Sequence, residues 1–296
     1  MHAFSRPTRL LQWALALAAA GCPALSQAAR EDWHVEFPAF RIAGNLYYVG
    51  TADLAAYLIA TPQGNILINT NFPQDLPLLR KSIGQLGFNY RDTKIILLSH
   101  AHRDHDAAAG IIKQETGAQL MVMEPDVPKV NSTAHEQPGA TVDRVLHDGD
   151  QVELGGAALT AHLTPGHTEG CTTWTMPVRE GTLQLAATII GSINVNPSYI
   201  LVGNKNYPGI TEDYQKAFDV LKKLPVDLFL GAHGSSFHLK EKHRKMQAGG
   251  PNPFLDSAGY KAYVAMKESA FREEWAWQKK HPGVPSGKKS TDDESE

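Results

Sequence analysis

Three histidines and two aspartates fall within residues 100–106 of the segment SHAHRDHDAAAG (residues 99–110). This segment comes directly after the apolar run KIILL, which is typical of a buried β-strand. Side chains alternate along an extended chain, so His100 and His102 point the same way, whereas Asp104 and His105 come where the chain turns into a helix. Because imidazole and carboxylate groups are zinc ligands, the pattern predicts a metal site at the end of this strand.

Two further histidines follow apolar runs in the same way. His167 ends the sequence TPGH after the strand-like run GAALTAHL, and His233 ends the sequence LFLGAH. Three strand ends can bring their imidazoles together at one edge of a sheet. The five histidines and Asp104 would then divide into two sets of three ligands, and a catalytic zinc keeps three protein ligands and one position for water.

The rest of the sequence predicts a single α/β domain that could hold such a site. Its hydrophobic pattern alternates between strand-like and helix-like periods, with Gly, Pro and Asn at the turns. The expected elements are strands within 35–50 and 55–70, a helix at 75–86, a strand at 93–99, a helix from about 105 to 116, a strand at 119–123, a β-rich stretch to about 193, a helix at 211–224, a strand at 226–232, a helix beginning near Phe237 and a long helix at 257–280.

Composition and charge narrow the class of partner. The chain of 296 residues is 42% hydrophobic and 20% charged, which is ordinary for a globular protein. Its formal net charge is −3, so no basic face indicates nucleic-acid binding. These properties favour an enzyme for small molecules, and a monomer is the expected state.

The N-terminal residues 1–28 are typical of a secretory signal peptide. Arg6 and Arg9 precede an apolar stretch at residues 10–20, and small residues follow at 24–29. The apolar stretch is too short for a membrane span, so we expect cleavage near residues 26–29 and a periplasmic protein. Lipoprotein anchoring at Cys22, in the sequence AAGC, is the alternative. The mature domain is expected to span residues 29–280, with a disordered tail at 281–296.

The pattern HxHxDH at residues 100–105, with GH at His167 and GAH at His233, resembles the metallo-β-lactamase superfamily. The resemblance extends from about Val35 to Lys280 and implies the four-layer αββα sandwich of that family. Two further stretches, HTEGCTTW (167–174) and GNKNYPGITEDY (203–214), resemble the subclass B3 enzymes in particular.

The resemblance also implies how the ligands would be shared between two zinc ions. One ion would be bound by His100, His102 and His167, and the other by Asp104, His105 and His233. Many hydrolases of the superfamily carry a bridging aspartate between the fourth and last histidine ligands. The corresponding stretch here, TLQLAATIIGSIN (182–194), has no acidic residue. This absence argues against a glyoxalase II or lactonase site and favours a β-lactamase.

The implied reaction is hydrolysis of the β-lactam amide bond of an antibiotic by a metal-bound hydroxide. Asp104 would hold one metal and orient the nucleophile. The B3 resemblance also places a serine that binds water or substrate near Ser192, although an ungapped alignment would place Ile193 there. From position in the chain, the expected substrate contacts are Ser192, Asn194, Tyr199 and Ser235.

The remaining ligand-type residues are expected to be structural. Cys171 lies inside CTTWTM, where the resemblance gives no metal ligand, and we expect a buried small side chain. His162 stands at an odd separation from His167, on the opposite face of its strand. His238 and His243 follow His233 on an expected helix and should be surface groups.

Two other functions are compatible with the ligand pattern. The first is another metallo-hydrolase of the superfamily, acting on a thioester or a lactone. The second is a zinc-binding protein that stores or senses the metal without catalysis. Hydrolysis that a chelator abolishes and zinc restores would exclude a protein that only binds zinc. Relative rates on a cephalosporin and a thioester would distinguish a β-lactamase from another hydrolase of the superfamily.

Overall fold

The structure is a computed structural model that describes residues 32–132 and 140–288. The predicted signal peptide, with Cys22 as the alternative lipidation site, and the last part of the predicted tail lie outside these residues. Within the described ranges, the chain forms two β-sheets and seven α-helices. Both sheets run close to the candidate ligands.

The first sheet combines an antiparallel half with a parallel half. Strands β1 to β4 form a meander, and β5, β6 and β7 are added in parallel after β4. Parallel pairing places the carboxyl ends of successive strands at one edge of the sheet. The strands are β1 (Phe40–Ala43), β2 (Leu46–Tyr48), β3 (Tyr57–Thr61), β4 (Gly64–Ile68), β5 (Thr93–Leu97), β6 (Gln119–Met123) and β7 (Arg144–Leu146).

The second sheet is antiparallel except at one edge. Its strand order is β12-β11-β10-β9-β8, and only the β11–β12 pair is parallel. The strands are β8 (Gln151–Leu154), β9 (Ala157–Leu163), β10 (Thr172–Glu180), β11 (Leu183–Ile190) and β12 (Leu228–Gly231).

Seven helices follow or connect these strands. Two of them, α2 and α4, have six residues or fewer. The helices are α1 (Leu76–Gln85), α2 (Arg103–Asp106), α3 (Ala109–Thr116), α4 (Val127–Ser132), α5 (Ile210–Leu221), α6 (Leu239–Gln247) and α7 (Ser257–Lys280).

The strands and helices pack in layers around two hydrophobic cores. Successive side chains of a strand face opposite sides, so Ile66 and Ile68 pack toward the second sheet while Leu67 packs toward the helices. Helices α1 and α3 cover the outer face of the first sheet through Ile83 and Ile112. Helices α5 and α7 cover the second sheet, where Phe229 of β12 contacts aromatic rings of α7. The predicted αββα sandwich is confirmed.

The expected single helix from residue 105 to 116 is wrong in one respect, because the structure divides it into α2 and α3. The break lies at Ala107 and Ala108. There the Ala108 N–H donates to the Asn71 carbonyl (3.0 Å), so the chain makes a tertiary hydrogen bond at the break. Strand β6 and helix α7 have the predicted bounds.

The described residues after α7 lie against that helix. The Ser286 N–H donates to Glu274 Oε1 at 2.9 Å. The division of the chain into leader, domain and tail stays a prediction. Among the described residues, no helix combines the length and apolar character needed to cross a bilayer.

Candidate metal centre

The candidate ligands converge at one end of the sandwich. The segment with His100, His102, Asp104 and His105 follows β5, while His167 follows β9 and His233 follows β12. The ring centroids of neighbouring histidines lie 4.3–4.9 Å apart across the whole group. The structure therefore brings together all six residues that the sequence singled out.

One triad consists of His100, His102 and His167. Each offers a ring nitrogen, and these three atoms lie within 4.8 Å of one another. His100 and His167 are buried, and His102 is half-buried. Three imidazoles with one partly exposed side match a zinc site that keeps a position open to solvent.

The second triad is tighter and consists of Asp104, His105 and His233. Asp104 Oδ2 lies 3.1 Å from His105 Nε2 and 3.2 Å from His233 Nε2, and the two Nε2 atoms are 3.2 Å apart. Bonds of about 2.0–2.1 Å to a tetrahedral zinc require ligand atoms roughly 3.3 Å apart. The donor types and the separations in this triad thus fit a zinc ion.

The site favours the protonation states that bind a cation. Burial lowers the pKa of His100 well below its ordinary value, and nearby His105 and His167 lower it further. Burial opposes ionisation of Asp104, yet the adjacent His105 imidazole holds the pKa of that carboxyl well below its usual range. A neutral imidazole and an ionised carboxylate are the forms that coordinate metal.

The His167 ring is held by groups outside the triads. Its Nδ1–H donates to the Asn194 carbonyl (2.9 Å), and because a carbonyl only accepts, Nε2 carries the lone pair that can coordinate a metal. The Tyr214 hydroxyl donates to the same carbonyl (2.6 Å), and the Tyr199 hydroxyl donates to the His167 carbonyl (2.7 Å). Gly166 has φ +126°, and a Cβ there would meet the Tyr214 ring at 2.6 Å.

Helix α7, near the C-terminal end of the described residues, contacts Asn194, whose carbonyl holds the His167 ring. Lys267 is buried, and its Nζ donates to Asn194 Oδ1 at 3.0 Å. The same ammonium lies 5.4 Å from the Tyr263 ring centre, and the Tyr263 hydroxyl bonds to Ser236 Oγ (3.2 Å). Lys267 therefore connects the loop behind His167 to the segment after His233.

Asp53 orients His233 in the second triad. Asp53 Oδ2 accepts from His233 Nδ1 (2.9 Å), and Oδ1 accepts from the Ser235 N–H (2.8 Å). Nε2 of His233 is thereby left for the triad. Burial opposes the charge of Asp53, but the hydrogen bonds from His233 and Ser235 lower the pKa of the carboxyl below its ordinary value. Nothing in the local sequence TADLAAY indicated this role.

The four predicted substrate contacts differ in their access to solvent. Asn194 is 1% exposed and Ser192 2%, and the Asn194 N–H donates to Ser192 Oγ (3.3 Å). Both residues lie behind His167, and Asn194 also lines a cavity beside helix α7, so substrate contact by these two stays a prediction. Tyr199 is half-buried and Ser235 is exposed, and for them substrate contact stays a prediction.

The other ligand-type residues lie outside both triads. Cys171 is buried and its Sγ–H contacts the Ser192 carbonyl (3.2 Å), as expected of a small core side chain. His162 pairs with Thr175 Oγ1 at 2.7 Å. The expected surface position of His243 is wrong: the residue is 7% exposed, and its ring centre lies 4.7 Å from that of Phe40. Helix α6 directs the His243 side chain toward Phe40 of strand β1.

Comparison with known proteins shows that the chain is similar to metallo-beta-lactamases. The model of the metallo-beta-lactamase superfamily matches residues 54–233. FEZ-1 metallo-beta-lactamase from Legionella gormanii is 51% identical, with a TM-score of 0.79 over 83% of this chain and 98% of that one. BJP-1, a subclass B3 metallo-beta-lactamase of Bradyrhizobium japonicum, is 36% identical, with a TM-score of 0.79 over 86% and 99%. The class B3 di-zinc enzyme LRA-12 from an Alaskan soil metagenome is 33% identical, with a TM-score of 0.73 over 82% and 96%.

Curated relatives match over shorter segments. A probable metallo-hydrolase of Burkholderia pseudomallei is 30% identical over 115 residues, which are 35% of this chain and 39% of that protein. A hydroxyacylglutathione hydrolase of Hyphomonas neptunium is 30% identical over 127 residues, which are 43% and 42%. The chain thus spans about two fifths of the length of these two relatives.

Proposed function

The chain belongs to the metallo-beta-lactamase superfamily, and from this membership we propose that it is a zinc-dependent hydrolase that opens the β-lactam ring of antibiotics. One observation carries the proposal: the chain is 51% identical to a metallo-beta-lactamase over 98% of that enzyme. The two adjoining triads supply the ligands that such chemistry needs.

We propose two zinc ions, one in each triad. His100, His102 and His167 would hold the first, and Asp104, His105 and His233 would hold the second. Zinc supplies Lewis acidity that makes water nucleophilic near neutral pH and polarises a carbonyl group. The similarity to a di-zinc class B3 enzyme supports this count.

The chain's own residues prepare the site for attack on a lactam carbonyl. His167 and His233 are each fixed by a hydrogen bond at Nδ1, so neither ring has to reorient. The ionised Asp104 carboxylate can accept a hydrogen bond from the attacking water and so orient its lone pair toward the carbonyl carbon. This mechanism uses no serine nucleophile, so we expect no acyl-enzyme to accumulate.

Thioester hydrolysis is the second candidate, because curated relatives include hydroxyacylglutathione hydrolases. Those matches cover only 25–43% of this chain. Residues 182–194, where a bridging aspartate is expected in such enzymes, contain no acidic side chain. We therefore place β-lactam hydrolysis first.

The test is steady-state hydrolysis by the purified protein of a penicillin, a cephalosporin, a carbapenem and a hydroxyacylglutathione thioester. We expect β-lactam turnover that a chelator abolishes and added zinc restores. Preferred turnover of the thioester would establish the second candidate. Zinc binding without turnover of any substrate would indicate a protein that only binds the metal.

We also propose that residues 1–28 export the protein to the periplasm, where it would act as a monomer. Fractionation of cells expressing the full chain, followed by mass determination of the mature N-terminus, tests export. Retention of residues 1–28 in a cytoplasmic fraction would contradict it. A palmitate-labelled product would instead indicate anchoring at Cys22.

A further inference from the structure

Asp126 is a buried carboxylate that belongs to neither triad. It lies in the turn after β6 and is 4% exposed. Its Oδ2 accepts from the Ala101 N–H (2.8 Å) and from the Thr168 hydroxyl (2.8 Å), and its Oδ1 accepts from the Gly170 N–H (2.8 Å). Three short hydrogen bonds therefore converge on one carboxylate.

These three donors come from the two segments that carry the first triad. Ala101 lies between His100 and His102, and Thr168 directly follows His167. The segments belong to different sheets, because the first follows β5 and the second follows β9. Asp126 therefore links them across the sandwich while contacting no triad side chain through these bonds.

The chain opposite Asp126 is shaped to admit the carboxylate. A Cβ on Gly170 would lie 2.6 Å from the Asp126 nitrogen and 2.7 Å from its Cγ. Real Cβ contacts are not that short, so only glycine fits at this position. The absence of a side chain at Gly170 therefore allows the Asp126 carboxylate to approach its backbone closely.

We propose that Asp126 is a positioning residue that sets the separation of His100 and His102 from His167, and thereby the zinc affinity of the first triad. This inference rests on the proposed function only in taking zinc as the metal. The second triad has its own buried carboxylate, Asp53, so the two sites are tuned by separate residues.

The substitution Asp126→Asn tests the inference with little change in volume. In asparagine one terminal atom remains an acceptor and the other becomes an NH₂ donor. That NH₂ group must face either the Gly170 N–H or the donors from Ala101 and Thr168, so at least one of the three hydrogen bonds is lost. Loss of groups that support metal ligands typically weakens metal binding by roughly 10- to 100-fold. We expect a loss of that size, confined to the first triad.

Two single-site backgrounds separate the triads. In His233→Ala the first triad remains complete, and in His167→Ala the second remains complete. Zinc affinity is measured in each background, with and without Asp126→Asn, by competition with a chromophoric chelator. The affinity should fall in the His233→Ala background and stay unchanged in the His167→Ala background.

Two controls address folding. Asp143 is another carboxylate that accepts from a backbone N–H, at Leu120, and from Lys113, but it lies away from the triads. Asp143→Asn should leave both zinc affinities unchanged. Should Asp126→Asn not fold, Thr168→Val removes one of the three bonds and Thr168→Ser restores it. The valine variant should then show the weakened first site and the serine variant should not.

Equal zinc affinity with and without Asp126→Asn in the His233→Ala background would overturn the inference. So would an equal loss in both backgrounds, because that pattern indicates general loosening of the fold. Neither outcome depends on substrate turnover. Absence of β-lactam hydrolysis by the wild-type protein would therefore refute the proposed function without affecting this result.

Discussion

Replacing Asp53 by asparagine should selectively weaken the second triad. The carboxylate accepts from His233 Nδ1 at 2.9 Å and from the Ser235 N–H at 2.8 Å. Asparagine has nearly the same shape, but one of its two terminal atoms is a donor. The variant must therefore lose one of these bonds, and it loses the negative charge that makes the His233 imidazole more basic.

The size of the effect follows from the burial and the charge of this pair. Asp53 is ionised at neutral pH, since hydrogen bonds from His233 and Ser235 lower the pKa of the carboxyl although burial opposes its charge. A hydrogen bond to a charged group contributes about 1.5–3 kcal/mol and a neutral one about 0.5–1.5 kcal/mol. The difference, roughly 1–1.5 kcal/mol, corresponds to about a 5- to 12-fold weaker zinc affinity at about 1.4 kcal/mol per tenfold.

The assay is zinc competition with a chromophoric chelator, paired with cephalosporin turnover at limiting and at excess zinc. Excess zinc should restore most of the turnover of Asp53→Asn, because the variant weakens binding and leaves all six ligands in place. Asp32→Asn is the matched control. Asp32 lines the same surface cleft of about 330 Å³ but pairs with Lys240. Unchanged zinc affinity in Asp53→Asn, or an equal loss in Asp32→Asn, would refute the reasoning.

Three further changes should have distinct outcomes. Asp104→Asn should keep the fold and lose most cephalosporin turnover, because the second triad loses its anionic ligand; thermal unfolding and initial rates check this. Asp256→Ala should reduce the free energy of unfolding by about 3 kcal/mol, because it leaves the buried Lys242 ammonium, 2.8 Å away, without its partner and removes the N-cap of α7, which accepts from the Gly259 N–H. Lys242→Met keeps this cap and should cost about 1 kcal/mol or less. Burial opposes the charge of Asp256, but Lys242 lowers the pKa of that carboxyl, so this stability is present above about pH 4 and lost as the pH falls further; urea unfolding at pH 7 and pH 3 measures it. Trp174→Phe should destabilise by about 2–3 kcal/mol, because the indole N–H donates to the Leu98 carbonyl (3.1 Å) in the core; urea unfolding measures this too.

Each of these expectations has a contrary result. Full cephalosporin turnover by Asp104→Asn would remove that residue from the reaction. A larger loss in Lys242→Met than in Asp256→Ala would show that the lysine stem, not the ion pair, provides the stability. An unfolding free energy for Trp174→Phe equal to that of the wild type would mean that the Leu98 carbonyl finds another partner.

The residues of the two triads could be found from the sequence because each one is a local signal. His167 and His233 are imidazoles directly after apolar runs, and a strand end fixes where such a side chain projects. The strands and helices could be predicted from the period of the apolar residues, whereas the four-layer arrangement was implied by the resemblance to the metallo-β-lactamase superfamily. Local patterns also gave the bounds of β6 and α7.

The supports of the ligands could not be predicted in this way. Asp53 and Asp126 lie far from their partners in sequence, and a lone aspartate in a loop is ordinary. The group that holds the His167 ring is the backbone carbonyl of Asn194, which any residue type could supply. The sequence predicts a surface position for His243, which lies on a helix after His233, whereas tertiary contacts with Phe37 and Phe40 bury it.

The hydrogen bond from Lys267 to Asn194 can form only after the final helix has been synthesised. All six ligands precede residue 234, but the ammonium that steadies the loop behind His167 belongs to the final helix. A nascent chain that ends before α7 therefore has all six triad residues but lacks the ammonium that holds the Asn194 side chain. We therefore expect cation loading to follow completion of the polypeptide.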